Sequence, residues 1–129
     1  MATPKRLEYS VGEQSGAPPR AEPDWTAEHL LLAALARCSL KSLEFYGKRV
    51  NVQVSGSADA DGVVTRRDSD RRYAFVETRV ELDVRVEPPL DRDGLRDLLD
   101  RAERGCFIGA SLTAPPVYEW RVNGEAVSP

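Results

Sequence analysis

The sequence predicts an α+β fold, in which a mostly antiparallel sheet packs against a long central helix and a second helix. Apolar residues recur at helical spacing in residues 27–46 and again in 91–104. Between these segments, residues 49–87 largely alternate apolar and polar side chains, as half-buried strands do. A length of 129 residues allows one core, so we expect residues 1–129 to form a single domain.

The N-terminal part predicts a short strand, a loop and the long helix. Residues 7–11 have the composition of a strand, and a Pro/Gly-rich loop follows at 12–24. Thr26 is a suitable N-cap, and Gly47 is a suitable residue just beyond the helix end. The helix is therefore expected over 27–46.

The long helix is expected to bury one face and expose the other. The buried face contains Leu31, Leu35, Cys38, Ser42 and Phe45. The exposed face contains Arg37, Lys41, Glu44 and Lys48. Cys38 is therefore expected to point towards whatever the helix packs against.

The middle of the chain predicts a hairpin with long arms. Residues 49–56 alternate in strand fashion, and DADG at 59–62 is a turn signal. Residues 72–87 are expected to form one strand, or two strands joined by a bend. The charged cluster at 66–72 contains acids as well as arginines, and it is better explained as a solvated hairpin tip than as a nucleic-acid site.

The C-terminal part predicts a second helix and a final strand. The helix is expected over 91–104, with Gly105 breaking it. A further helical turn is expected within 107–112, and a last strand over 117–124.

Composition excludes several classes of function. A net charge of −3 gives no basic surface for nucleic acid. The longest apolar run, at 30–35, is far too short to cross a membrane, and the N-terminus has no secretory signal, so a cytoplasmic location is expected. One histidine and two distant cysteines make a poor metal set, and no metal or organic cofactor is expected.

Two segments that contain the cysteines carry a specific pattern. The run TAEHLLLAALARC ends at Cys38, ten residues after Glu28, and ERGCFIGASL places Cys106 directly after a Leu-rich helix. With the closing V-N-G at 122–124, this pattern resembles the OsmC/Ohr family of osmotically inducible and organic hydroperoxide resistance proteins.

The resemblance implies an intertwined homodimer with its sites at the subunit interface. It implies a thiol peroxidase in which Cys38 reduces organic hydroperoxides and becomes a sulfenic acid. Cys106 then resolves this acid to a disulfide, which a lipoyl-type or thioredoxin-type dithiol reduces. No membrane or nucleic-acid partner is implied.

The Cys38 thiolate needs a cation. The helix dipole fades within the first turn, and burial on an apolar face raises a thiol pKa. The resemblance implies an arginine from the N-terminal region, steadied by Glu28. Arg20 is the first candidate for this arginine, with Arg6 and Lys41 as alternatives.

Geometry places Glu28 away from Cys38 if both lie on one straight helix. Ten residues correspond to roughly 15 Å along the axis and about 80° around it. We therefore expect Glu28 to serve the thiol of a partner chain, or to act through the long arginine.

Two departures from the family pattern lie beside the second cysteine. Phe107 replaces the usual proline, and Gly109 replaces a small polar residue. Phe107, together with the open choice of the activating arginine, favours a rival function, a non-enzymatic OsmC-like protein that binds a small molecule or senses oxidants. A third interpretation is a structural α+β domain whose two cysteines are inert core residues.

Overall fold

The computed structural model describes residues 3–18 and 21–129, and it has an α+β architecture. The described strands are β1 (Leu7–Gln14), β2 (Gln53–Arg66), β3 (Tyr73–Glu87), β4 (Val117–Val122) and β5 (Glu125–Val127). The described helices are α1 (Ala27–Arg49), α2 (Arg92–Arg104) and α3 (Phe107–Ala110). None of these helices is long and apolar enough to cross a membrane.

The strands form one sheet in the order β1-β2-β3-β4-β5. All neighbouring pairs are antiparallel except β3 and β4, which run parallel and are connected through α2 and α3. The core lies between α1 and the inward-facing side chains of the sheet, with α2 packed beside α1. Its largest fully buried apolar residues are Leu32, Leu35, Leu43, Leu82, Leu99, Val80, Val84 and Val86. The predicted fold class is confirmed.

The central helix continues beyond the predicted end at Gly47 and reaches Arg49. Gly47 is buried inside the helix, where a Cβ atom would lie 2.9 Å from Val54 Cγ2 and 3.3 Å from Val52 Cγ2. The glycine is therefore explained by the close approach of α1 to β2. The left-handed residue that follows the helix is Asn51, with φ of 61°.

The buried stripe of α1 is also rotated from the predicted one. Leu32, Ala36 and Ser39 are buried, whereas Phe45 is 56% exposed. Cys38 is half-buried, at the border of the stripe. The run LLLAALA is apolar on every side, so the sequence did not define which face is innermost.

The predicted turn at 59–62 is wrong. These residues continue β2, because Ala58 and Ala60 are fully buried while Asp59 between them is exposed. The hairpin reverses at 67–72, where the Arg67 backbone N–H donates to the Arg72 carbonyl at 2.9 Å. This confirms the charged cluster as a hairpin tip and leaves β3 as one strand.

The C-terminal elements follow the prediction closely. Asp91 caps α2 by accepting a hydrogen bond from the Gly94 N–H at 2.7 Å, and the short α3 confirms the expected helical turn. The last strand is shorter than predicted, because the chain turns at Asn123 and Gly124, which have φ of 50° and 87°. The chain then returns as β5.

Candidate active site

The two cysteine side chains lie side by side although they are far apart in the sequence. Cys38 lies in the middle of α1, and Cys106 is the N-cap of α3, which packs against α1. Both thiols are free, and they interact with one another directly. Cys106 is only 1% exposed, whereas Cys38 is half-buried. The structure thus brings together the two predicted redox residues.

The surroundings of Cys38 act on its thiol in opposite directions. Burial raises the pKa of Cys38, and the neighbouring Cys106 thiol adds to this effect. The backbone N–H groups of Ile108 and Phe107 lie near the sulfur and lower the same pKa. Burial prevails, so the pKa of Cys38 lies above its ordinary value. Among the contacts made by described residues, no cation offsets the burial.

A cavity of about 340 Å³ opens beside Cys38. It is lined by Cys38, Lys41, Ser42, Phe45, Tyr46, Gly105 and Phe107. Two of its walls are aromatic rings that face outwards, since Phe107 is 80% exposed and Phe45 is 56% exposed. The half-buried thiol is therefore reached through a mainly apolar opening.

The Cys106 sulfur lies deeper, in a small polar pocket. The Gly109 N–H donates to Cys106 Sγ at 3.4 Å, and Ser39 Oγ lies 3.7 Å from the same sulfur. The Tyr118 hydroxyl is close enough to Cys106 and Ser39 to interact with both, yet it makes no hydrogen bond of normal geometry with any described residue. Burial is the main cause that raises the pKa of Tyr118.

Two other predicted residues, Glu28 and Arg6, are not next to Cys38. Glu28 lies in the first turn of the same unbroken helix, at a separation of roughly 15 Å. Its pKa is lowered by backbone hydrogen bonding and by Thr26. Arg6 pairs with Glu77 at the start of β1, with an N–O distance of 3.6 Å.

Lys41 lines the cavity but is exposed, and its Nζ pairs with Glu44 at 3.6 Å. Arg20 lies outside the described residues. The nearest described part of its loop is attached to α1, because Arg37 Nη2 donates to the Ala17 carbonyl at 3.1 Å.

The sequence reasoning missed Ser39 and Tyr118. Ser39 directly follows Cys38, but serine within a helix carries no signal of its own. Tyr118 belongs to β4 and reaches the pocket only through tertiary packing. The departure at Gly109 was the available hint, since a Cβ there would lie 2.8 Å from the Tyr118 hydroxyl oxygen.

Comparisons with known proteins agree with this architecture. The OsmC-like protein of unknown function from Vibrio cholerae has a TM-score of 0.61 at 21% identity, over 74% of this chain and 63% of that one. The OsmC-like hydroperoxide resistance protein of Jannaschia sp. CCS1 has a TM-score of 0.62 at 13% identity, over 95% of this chain and 97% of that one. These likenesses show a shared fold.

No curated protein matches the chain at a significant level. The family model described as OsmC-like protein, however, matches residues 20–121. This range includes α1, the hairpin, α2, α3 and nearly all of β4. The chain therefore belongs to the OsmC-like family.

Proposed function

We propose that the protein is a thiol-dependent peroxidase that reduces organic hydroperoxides. The observation that carries this proposal is the closeness of the Cys38 and Cys106 thiols, which are near enough to interact, with the more accessible thiol at an apolar cavity and the other buried behind it. The family, and the name of the Jannaschia relative as a hydroperoxide resistance protein, support the same chemistry.

The reaction begins at Cys38. Its thiolate attacks the distal oxygen of the hydroperoxide, the O–O bond breaks, and the alkoxide leaves and takes up a proton as the alcohol. The resulting Cys38 sulfenic acid is attacked by Cys106; the S–O bond breaks, the S–S bond forms, and water leaves. An external lipoyl-type or thioredoxin-type dithiol then reduces the disulfide by thiol exchange.

The proposed activating cation is Arg20. Burial and the neighbouring Cys106 raise the pKa of Cys38, so a positive charge is needed to produce the thiolate nucleophile. Ala17 is held against Arg37, the residue that precedes Cys38 on α1. From Ala17 to Arg20 the chain can extend by at most about 10 Å. With its long side chain added, Arg20 is therefore within range of Cys38 in this proposal. In this proposal Glu28 orients the guanidinium group.

The apolar walls of the cavity suit a hydroperoxide with an organic group. Phe45 and Phe107 present aromatic surface beside the thiol. The lining offers few hydrogen-bonding groups that would favour a polar substrate. We therefore expect cumene hydroperoxide to react faster than hydrogen peroxide, because only the former gains from burying apolar area.

The test is peroxide consumption by the purified protein with cumene hydroperoxide and a dithiol. Cys38→Ser is expected to abolish turnover. Cys106→Ser should still react once per chain, yielding a persistent sulfenic acid that dimedone traps. Ser111→Ala, at the exposed serine that follows the end of α3, serves as the matched control. Unchanged turnover in Cys38→Ser would exclude the proposal.

A second candidate is an OsmC-like redox sensor or small-molecule binding protein without turnover. The raised pKa of Cys38, with no cation among its described contacts, favours it. A sensor is distinguished by one disulfide per chain on oxidation and no sustained peroxide loss in excess dithiol. A binding protein is distinguished by thiols that do not react with the hydroperoxide. In that case an apolar ligand is expected to protect Cys38 from an alkylating reagent.

A further inference from the structure

The hydroxyl group of Tyr118 is buried and has no hydrogen-bonding partner among the described residues. It comes from β4, whereas the adjacent Cys106 begins α3 and the adjacent Ser39 belongs to α1. Three separate elements thus converge on one small pocket. Buried hydroxyl groups are nearly always paired, so an unpaired one beside a reactive atom calls for a functional explanation.

In the resting pocket, the neutral Cys106 thiol already has its partners. The Gly109 N–H donates to the sulfur at 3.4 Å. Ser39 donates its own proton to the Leu35 carbonyl at 2.8 Å, so towards Cys106, at 3.7 Å, its oxygen acts as an acceptor of the S–H proton. A neutral thiol is a weak acceptor, which leaves Tyr118 with no strong group to receive its proton.

Loss of the Cys106 proton gives the pocket a strong hydrogen-bond acceptor. A thiolate is a far stronger acceptor than a thiol, and hydrogen bonds to a charged group are roughly twice as strong as neutral ones. Ser39 has no proton left to give to it, since that proton is held by Leu35. The free donor in the pocket is then the Tyr118 hydroxyl, which keeps its proton at neutral pH because burial raises the pKa of Tyr118.

Gly109 provides the space that this arrangement needs. A Cβ atom at this position would lie 2.8 Å from the Tyr118 hydroxyl oxygen and 3.5 Å from Cys106 Sγ. A side chain at position 109 would therefore push against the hydroxyl group and would touch the sulfur at ordinary contact distance. The glycine and the tyrosine form a matched pair around Cys106.

We propose that Tyr118 is a positioning residue that donates a hydrogen bond to Cys106 whenever its sulfur becomes a thiolate. The inference rests on the proposed function for its place in the cycle, where such a thiolate forms twice. In resolution, Cys106 loses its proton to the departing hydroxide as its sulfur bonds to Cys38. In regeneration, a dithiol thiolate attacks Cys38 at the cavity, and Cys106 leaves with the electron pair of the broken S–S bond.

The decisive experiment uses the regeneration step alone and needs no hydroperoxide. The full chain is oxidised with diamide to the Cys38–Cys106 disulfide, and the rate of reduction by dithiothreitol is measured. Tyr118→Phe, which removes only the hydroxyl oxygen, is expected to slow reduction by about tenfold. Tyr73→Phe, at a half-exposed tyrosine far along the sheet, is the control and should react like the wild type.

A second variant protects the test against a folding defect. Gly109→Ala places a methyl group 2.8 Å from the hydroxyl oxygen, which must shift, so this variant should slow the same step with Tyr118 intact. Equal reduction rates for Tyr118→Phe and the wild type would overturn the inference, as would failure of diamide to join the two cysteines.

A parallel arm separates this inference from the proposed function. With cumene hydroperoxide, Tyr118→Phe should form the Cys38 sulfenic acid at the wild-type rate and convert it to the disulfide about tenfold more slowly, as followed by dimedone trapping. If wild-type Cys38 does not react with the hydroperoxide, the peroxidase proposal fails. The dithiothreitol rates still decide the role of Tyr118 in that case.

Discussion

At the scale of single residues, Cys38 lies between two environments. Its apolar side disfavours the thiolate, while the N–H groups of Phe107 and Ile108 favour it. The outcome is a raised pKa, so these neutral donors do not activate the nucleophile by themselves. The activating charge must then come from a group outside these contacts, which is the role proposed for Arg20.

The first prediction concerns the pH at which Cys38 ionises. In a Cys106→Ser background, Arg20→Met should leave the rate of Cys38 alkylation rising with pH beyond about 8.5, the ordinary thiol value. The sign follows because burial disfavours the charged form and outweighs the two backbone N–H groups that favour it. In the chain that retains Arg20, the alkylation rate should level off at a lower pH. Superimposable pH profiles for the two would exclude Arg20 as the activating cation.

At the scale of the elements, the contact between α1 and β2 depends on small residues. Gly47 lies against Val52 and Val54, while Ala58 and Ala60 are fully buried further along the strand. These residues let the helix lie close to the sheet, and the position of the helix in turn fixes where Cys38 meets α3.

Gly47→Ala is expected to destabilise the fold although alanine favours helices. The added methyl group would lie 2.9 Å from Val54 Cγ2, and valine has little freedom to move away. Overpacking of this kind costs about 1–3 kcal/mol, against a gain of about 1 kcal/mol in helix propensity. The free energies of unfolding of Gly47→Ala and the wild type, measured in urea, give the net effect of these two opposing contributions.

Val54→Ala provides the control for this clash. In a double-mutant cycle, Gly47→Ala should cost less in the Val54→Ala background than in the wild type. A fully additive cycle would show that the close contact is not what requires glycine at position 47.

The same elements show how far local sequence signals reach. The end of α2 at Gly105 and the charged hairpin tip were predicted because their determinants lie within a few residues of each other. The turn at 59–62 was mispredicted because the burial of Ala58 and Ala60 beneath the helix prevails over the turn preference of the acids and glycine around them. That burial is a tertiary effect which no local window contains.

At the scale of the whole molecule, the proposed site has apolar surface left uncovered. Phe107 is 80% exposed and Phe45 is 56% exposed, and Leu30, near the start of the same helix, is 49% exposed. Glu28 remains roughly 15 Å from Cys38 on its own helix. Both observations support the proposed homodimer, in which a second copy covers these residues and brings its own Glu28 to the thiol.

Mixed dimers test this arrangement. Cys38→Ser and Glu28→Gln chains, each impaired alone, should regain activity when they are unfolded together and refolded. Half of the random dimers pair the two variants, and each such dimer has one complete site out of two. The expected recovery is about a quarter of wild-type turnover.

The control is each variant unfolded and refolded by itself. No recovery on mixing, with a dimer verified by sedimentation, would show that Glu28 does not serve the opposite subunit.

The candidate site was predictable only in part. The cysteine pattern pointed to Cys38 and Cys106, but their contact depends on how α3 packs against α1, which spacing does not encode. Tyr118 carried no signal of its own, since an alternating tyrosine in a strand is ordinary. Its position follows from the parallel pairing of β3 with β4, which places Tyr118 opposite Val80.

That parallel pairing has a mechanical consequence. Parallel neighbours need a long connection, and here the connection carries one thiol while the central helix carries the other. An S–S bond between them would join the connection covalently to the helix and close a loop of about 70 residues. The lost chain entropy destabilises the unfolded state by roughly 4 kcal/mol. Oxidation of the two thiols would therefore stabilise the folded protein until a reductant cleaved the disulfide.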